Sequence, residues 1–286
     1  MVLHPQPLLD APPPQVHALT MGALLILPLL LMLLLPGQTA EIPHPGSPYE
    51  SPWFLKGTIY SSDHKTPLFQ FTRRSKSIEG RIEASRDFNY PNGKTAARET
   101  VEYNGDQLVS LTLQDFQAGA RGSVRVLTTG SSDARILHFE YSDKTGAKLK
   151  QADESLRPDT LVTDMIPVFL TSHWDELVRG EELKCRLIVI PRRETVGFSF
   201  RAIAAKPDSA KTVTIRMSAS SALIAALVDP VFFVMDKASP HHILEYSGRT
   251  TPRMRSGNSW KDLEALTVFD WASAKPQRSS KNPSHI

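Results

Sequence analysis

A few clusters in this sequence carry residue types that could do chemistry. His173, Asp175 and Glu176 stand close together in one segment, and His241 and His242 lie further along the chain. Zinc binding or acid–base work on a helix needs two ligands one turn apart, as His-Glu-x-x-His provides; His-x-Asp-Glu does not. In a strand, adjacent His241 and His242 point to opposite faces and cannot chelate together. A surface helix face and an exposed loop histidine are the expected settings. Gly197-Phe198-Ser199-Phe200 lacks the closing glycine of a nucleophile elbow and has no helix after it. Ser61-Ser62-Asp63-His64 sets serine, aspartate and histidine in a row, which reads as a turn, because triad members converge from separate segments. No glycine-rich phosphate cradle or dinucleotide fingerprint occurs. The expectation is a protein without catalytic residues, cofactor or metal.

The single cysteine, Cys185, alternates with Leu183, Leu187 and Val189 on one side of an apolar run. It reads as a buried small hydrophobe rather than a nucleophile, and no disulfide framework exists. The basic pairs Arg73-Arg74 and Arg192-Arg193 are placed at strand ends or turns, solvated or touching anionic lipid head groups.

The chain has 286 residues, of which the first 40 carry one charged side chain, Asp10; the other 246 hold 33 Lys and Arg against 29 Asp and Glu, a net charge of +4. That balance excludes a strongly basic nucleic-acid binder. Residues 22–35 form a Leu-dominated run of fourteen, interrupted by Pro28 and followed by Pro36-Gly37-Gln38-Thr39-Ala40. A membrane span needs about 20 apolar residues, so the run reads as the core of a secretory signal. Cleavage is expected after Ala40, giving an exported, periplasmic or secreted, soluble protein with no lasting transmembrane anchor. An uncleaved anchor is the alternative, and either Met1 or Met21 could be the start. The expected division is a leader over 1–40, a linker over 41–52, one β-rich domain over 53–272 and a disordered tail over 273–286.

The elements that must position any site follow a period of two. Ile78–Phe88 reads as a strand with Ile78, Ile82, Ala84 and Phe88 on one face. Asn104-Gly105-Asp106 reads as a tight hairpin turn, before a strand with Val109, Leu111 and Leu113 on one face. Leu137, Phe139 and Tyr141 share a face, as do Val196, Phe198, Phe200, Ala202 and Ala204, and then Val213, Ile215 and Met217. The last strands are placed at Val231–Met235, His242–Tyr246 and Leu263–Trp271, with a loop over Thr251–Asn258. One segment has helical spacing instead, predicting a helix over 164–179 with Asp164 as N-cap, Pro167 in the first turn and Gly180 as its stop. The fold class is mainly β (α+β): a large curved antiparallel meander, a half-barrel of about ten strands, with that helix over its concave face.

These features, with Thr171–Glu181 in the helix and Asp229–Asp236 followed by Leu244–Thr250 near the end, resemble exported bacterial half-barrel proteins of the outer-membrane lipoprotein carrier type. The resemblance implies a lipid or acyl chain held between sheet and helix, and carries no catalytic residue across. Phe69, Phe71, Phe139, Tyr141, Phe198 and Phe200 would line such a slot from the sheet, and Ile166, Phe169, Trp174 and Leu177 from the helix. The competing reading, which the usual role of aromatic stripes favours, is that the same side chains simply fill a solid core. The expected function is therefore non-catalytic binding of a hydrophobic ligand in the cell envelope. A structural or protein-interaction module meeting another envelope protein is the first alternative, and a hydrolase on an envelope substrate the second.

Overall fold

The computed structural model describes residues 46–130, 134–203, 210–226 and 228–275. The Leu-rich run, its cleavage site, Ala204 and the tail beyond Lys275 lie outside them. The order is β1 (Phe54–Tyr60), β2 (Pro67–Ile78), β3 (Arg81–Asn89), β4 (Thr95–Asn104), β5 (Gln107–Asp115), β6 (Ala120–Thr129), β7 (Ala134–Ser142), β8 (Lys150–Ser155), β9 (Thr160–Leu161), α1 (Ile166–Ser172) and α2 (Trp174–Val178). There follow β10 (Leu183–Val189), β11 (Glu194–Ile203), β12 (Thr212–Ala219), α3 (Ala222–Ala225), β13 (Val231–Asp236), β14 (Ile243–Ser256) and β15 (Ser259–Lys275).

All fifteen strands belong to one sheet, in the order β8 to β1, then β15 down to β9. The first and last strands pair at the centre, and the chain grows outward from there as two wings. Neighbours pair antiparallel except β9 with β10, which run parallel and make the sheet mixed. Mid-chain residues between β8 and β9 thus link the two outer edges.

Fifteen strands replace the expected ten for identifiable reasons. The run Ile78–Phe88 conceals a hairpin, because Glu79 and Gly80 both take positive φ, 52° and 77°, and reverse the chain there. Ile78 ends β2 at 65% exposure, while Ile82, Ala84 and Phe88 are buried as expected. Residues 251–256, expected as part of a loop over Thr251–Asn258, belong to the long β14–β15 hairpin, which turns at Gly257. Val109 faces solvent because the register shifts opposite it, between Glu102 and Tyr103. Leu108 and Leu111 are the buried apolar members of β5.

The predicted helix is present in pieces. A 3-10 turn over Thr163–Met165 leads into α1, and α1 gives way to α2 at His173, whose φ and ψ of −113° and 28° leave the helical region. Pro167 sits in the first turn of α1 as expected, and Gly180 follows α2 at φ 87°. Asp164 is not the N-cap: its side chain makes no cap hydrogen bond and is buried elsewhere. Ile166, Leu170 and Leu177 pack with Leu187, Phe200, Ile215, Phe233 and Met235, so the helices lie on the second wing.

The first wing has its own core around Val124, Leu137, Phe139 and Tyr141, which also takes Val162, Met165, Ile188 and Ile190 from the second half of the chain. The wings therefore meet through side chains. At the β8 edge, Glu154 accepts a hydrogen bond from the Thr195 backbone N–H at 2.7 Å, and Arg186 lies 3.6 Å from the same carboxylate. No ladder joins β8 to β9 among the described residues.

The wings approach closely at Gly122. A Cβ there would overlap the Ile190 γ2 methyl and lie 2.8 Å from the Glu140 carbonyl oxygen. Gly122→Ala is expected to lower stability by about 1–3 kcal/mol through overpacking. Combining it with Ile190→Ala should recover part of that loss, read from urea midpoints in a double-mutant cycle.

Candidate functional site

The inward face of the first wing carries polar residues at positions where alternation would place apolar ones. On β2 the buried series is Phe69, Phe71, Arg73 and Ser75, and on β4 it is Ala97, Glu99, Val101 and Tyr103. Arg86 falls on the inward face of β3 between Ala84 and Phe88. This parity is the sequence signal for the site, and reasoning from apolar faces alone passed over it. Arg73 in particular lies mid-strand and buried, not solvated at a strand end.

Arg73 reaches Asp164 with Nε to Oδ1 at 2.8 Å and Nη2 to Oδ2 at 3.0 Å. Its remaining donors bond the carbonyls of Pro52 at 2.5 Å and Tyr49 at 2.7 Å. Tyr103 donates its hydroxyl to Asp164 Oδ2 at 3.0 Å, and Tyr49 stacks on Tyr103 with ring centroids 4.4 Å apart. Ser75 donates to the Glu50 carbonyl at 2.5 Å. Residues 47–53, expected as part of a linker or the domain start, are thereby strapped across the inner face of the sheet. Burial alone would raise the Asp164 carboxyl, but the charge and hydrogen bonds of Arg73 outweigh it, with Arg86 and Tyr103 adding, and hold it below the usual aspartate range. Burial raises the Tyr103 phenol, with the Asp164 charge next, so it stays a donor.

Beside this anchor lies a cavity of about 190 Å³. Leu55, Phe71, Phe88 and Phe269 line it from the centre of the sheet, Leu187, Met217, Phe233 and Ile243 from the second wing, and Ile166, Pro167 and Val168 from α1. Tyr49 and Pro52 of the strap complete it. Its polar wall gathers around Glu99: Arg86 pairs with that carboxylate at 3.0 Å, Thr251 donates to it at 2.6 Å and Thr163 at 3.2 Å. Arg86 also bonds Thr163 and sits over the rings of Phe71 and Phe88, at 5.8 and 5.9 Å. Arg249 on β14 completes this side.

Of the candidate lining residues, Phe71 and Ile166 border the cavity. Phe69 belongs to the central core, and Phe139 and Tyr141 to the first-wing core. Leu177 and Phe200 are fully buried in the second-wing core, with Phe169, Trp174 and Phe198 packed against it. The structure thus brings the helix and the Phe198–Phe200 strand into direct contact, Phe169 lying 5.6 Å from Phe200, and leaves the open space at the start of α1.

The candidate histidines His173, His241 and His242 all have partners. Trp174 stacks on His241 at 4.0 Å and Trp271 on His242 at 3.6 Å, so neither is the exposed loop histidine expected. His173 turns its Nδ1 to the Phe169 carbonyl at 2.9 Å. Cys185 is buried and unpaired with any disulfide partner, and burial, with Asp159 adding, pushes its thiol up to about 12. Ser61 and Asp63 bond each other within the β1–β2 turn. Tyr246-Ser247-Gly248 runs within β14, where Val231 packs against Gly248. Comparison with family models, curated proteins and solved structures finds no match to this chain.

The Arg73–Asp164 pair sets a pH dependence. A carboxyl held below its unfolded value of about 3.9 contributes stability above that pH, lost as pH falls through the folded value. Wild-type urea midpoints should therefore drop below about pH 4. Asp164→Asn, which strands a buried guanidinium, should cost about 3–5 kcal/mol at pH 7 and flatten the acid limb.

Proposed function

We propose that this chain is an exported, non-catalytic cell-envelope protein that binds a hydrophobic ligand in the cavity between sheet and helix, with the half-barrel carriers as its architectural analogue. The observation that carries this reading is the cavity itself: a mainly apolar space of about 190 Å³ walled by aromatic and aliphatic side chains from both wings. Burial of apolar surface supplies affinity there without directional chemistry. The volume narrows the ligand. It exceeds the roughly 150 Å³ apolar cavity that accepts benzene. It falls short of the approximately 300–1,000 Å³ typical of drug-sized pockets. A single acyl chain or a small apolar molecule suits it, rather than a lipid with several chains. The Leu-rich run over 22–35 supports export, since it is too short for an ordinary span.

Val168 lines the cavity from the half-buried side of α1. Native mass spectrometry of protein expressed with its leader should show a co-purified small hydrophobic species and loss of the residues before Glu41. Titration with N-phenyl-1-naphthylamine, an uncharged apolar fluorophore, should give saturable binding. Val168→Trp should weaken it by about tenfold or more, the loss of some 1.4 kcal/mol, with unchanged circular dichroism. No binding of the fluorophore or of lipid extract by the wild type would turn the reading towards an interaction module that meets another envelope protein.

A further inference from the structure

The charges on the cavity wall carry the reading one step further, to the class of ligand. Three guanidiniums border the space: those of Arg73, Arg86 and Arg249. Arg73 is committed to Asp164 and to two backbone carbonyls. Arg86 is committed to Glu99 at 3.0 Å. Arg249 pairs with Asp262 at 3.1 Å and stands 3.6 Å from Glu264. Three cations thus face four carboxylates, and each cation already has a counter-ion in the chain itself, buried for Arg73 and at the surface for Arg249. An anionic head group entering here would give up its water and meet no uncompensated positive charge. Burying an ion without a partner costs several kcal/mol, more than the apolar contact of a few methylenes returns. An uncharged head meets no such cost, and Thr250 and Thr267 on the wall offer hydroxyls to it.

We infer that the cavity selects an uncharged single-chain amphiphile, such as a long-chain alcohol or ester, against the carboxylate or phosphate of the same chain length. This rests on the binding reading above, and its test separates the two. Full-length protein is titrated at pH 8 with 1-decanol and with decanoate, each below its aggregation threshold and each displacing N-phenyl-1-naphthylamine. The expected result is displacement by decanol at concentrations at least about tenfold lower than by decanoate. Decanoate affinity should rise as pH falls towards its own pKa, where the acid becomes neutral. Equal or tighter binding of decanoate at pH 8 overturns the selectivity while leaving ligand binding in place. Fluorophore binding that neither compound displaces overturns it as well, and absence of fluorophore binding removes the cavity reading itself.

A pair of surface changes tests the cause. Asp262→Asn with Glu264→Gln frees Arg249 without touching the core, both carboxylates being exposed. Decanoate affinity should then rise at least about fivefold, with decanol unchanged. No gain for decanoate overturns the charge argument.

Discussion

The structure depends on the buried pair between Arg73 and Asp164. It ties the second strand of the first wing to the turn that starts the helices of the second wing, ninety-one residues apart in sequence. It also fixes the segment before β1, because Arg73 holds the carbonyls of Tyr49 and Pro52 with the donors that Asp164 leaves over. Buried ion pairs bring little net stability compared with an apolar filling of the same shape, and they tolerate few alternative partners. Here the pair, with Tyr103 on the second carboxylate oxygen, sets where three separate pieces of chain must meet. The cavity exists where they meet.

The sheet explains why such a fastening is needed. Pairing the first strand with the last leaves two edges, β8 and β9, and an open sheet of fifteen strands must curl or be covered. Glu154 takes hydrogen-bond donors from Thr195 at one edge, and Ile190 inserts against Gly122. Arg253 reaches from the β14–β15 hairpin to Asp115 at 3.2 Å, and its backbone exchanges two hydrogen bonds with the Gln117 side chain. These contacts, polar except for Ile190, are specific in position, unlike an extended ladder. They bring the wings together while leaving space between them.

Much of the β architecture was legible because burial on one face forces a period of two, and a run such as Leu137, Phe139 and Tyr141 can satisfy it in only one way. The strand count was not legible, because Ile78 extends the even-numbered apolar series of Ile82, Ala84 and Phe88 across the Glu79-Gly80 hairpin, although the inward face switches there from odd residues in β2 to even ones in β3. A reader of periodicity sees one strand where the chain makes two. The helix was legible from its spacing, but Asp164 was misplaced as a cap. Its position before an apolar run fits capping, and only the distant Arg73 shows what the carboxylate is for. The site was partly hidden for a related reason. Searching for aromatic stripes finds packed cores, as with Phe139 and Phe200, whereas this cavity is bordered by the places where the stripe is broken by Arg73 and Arg86.

Those breaks give the cavity a physical rationale. Apolar space of about 190 Å³, valued at the roughly 24 cal/mol per Å³ found for core truncations, corresponds to several kcal/mol of stabilisation forgone. That is a large share of the approximately 5–15 kcal/mol by which a typical domain is stable. Collapse of the walls would recover it only by bringing Phe71, Phe233 and Ile243 together across the polar row. That motion would pull Thr251 from Glu99 and Arg73 from Asp164, leaving buried charges in apolar surroundings at a greater cost. The polar row therefore acts as a set of struts: it keeps the wings apart at a fixed distance, and an apolar molecule that enters gains the contacts the side chains cannot make with one another.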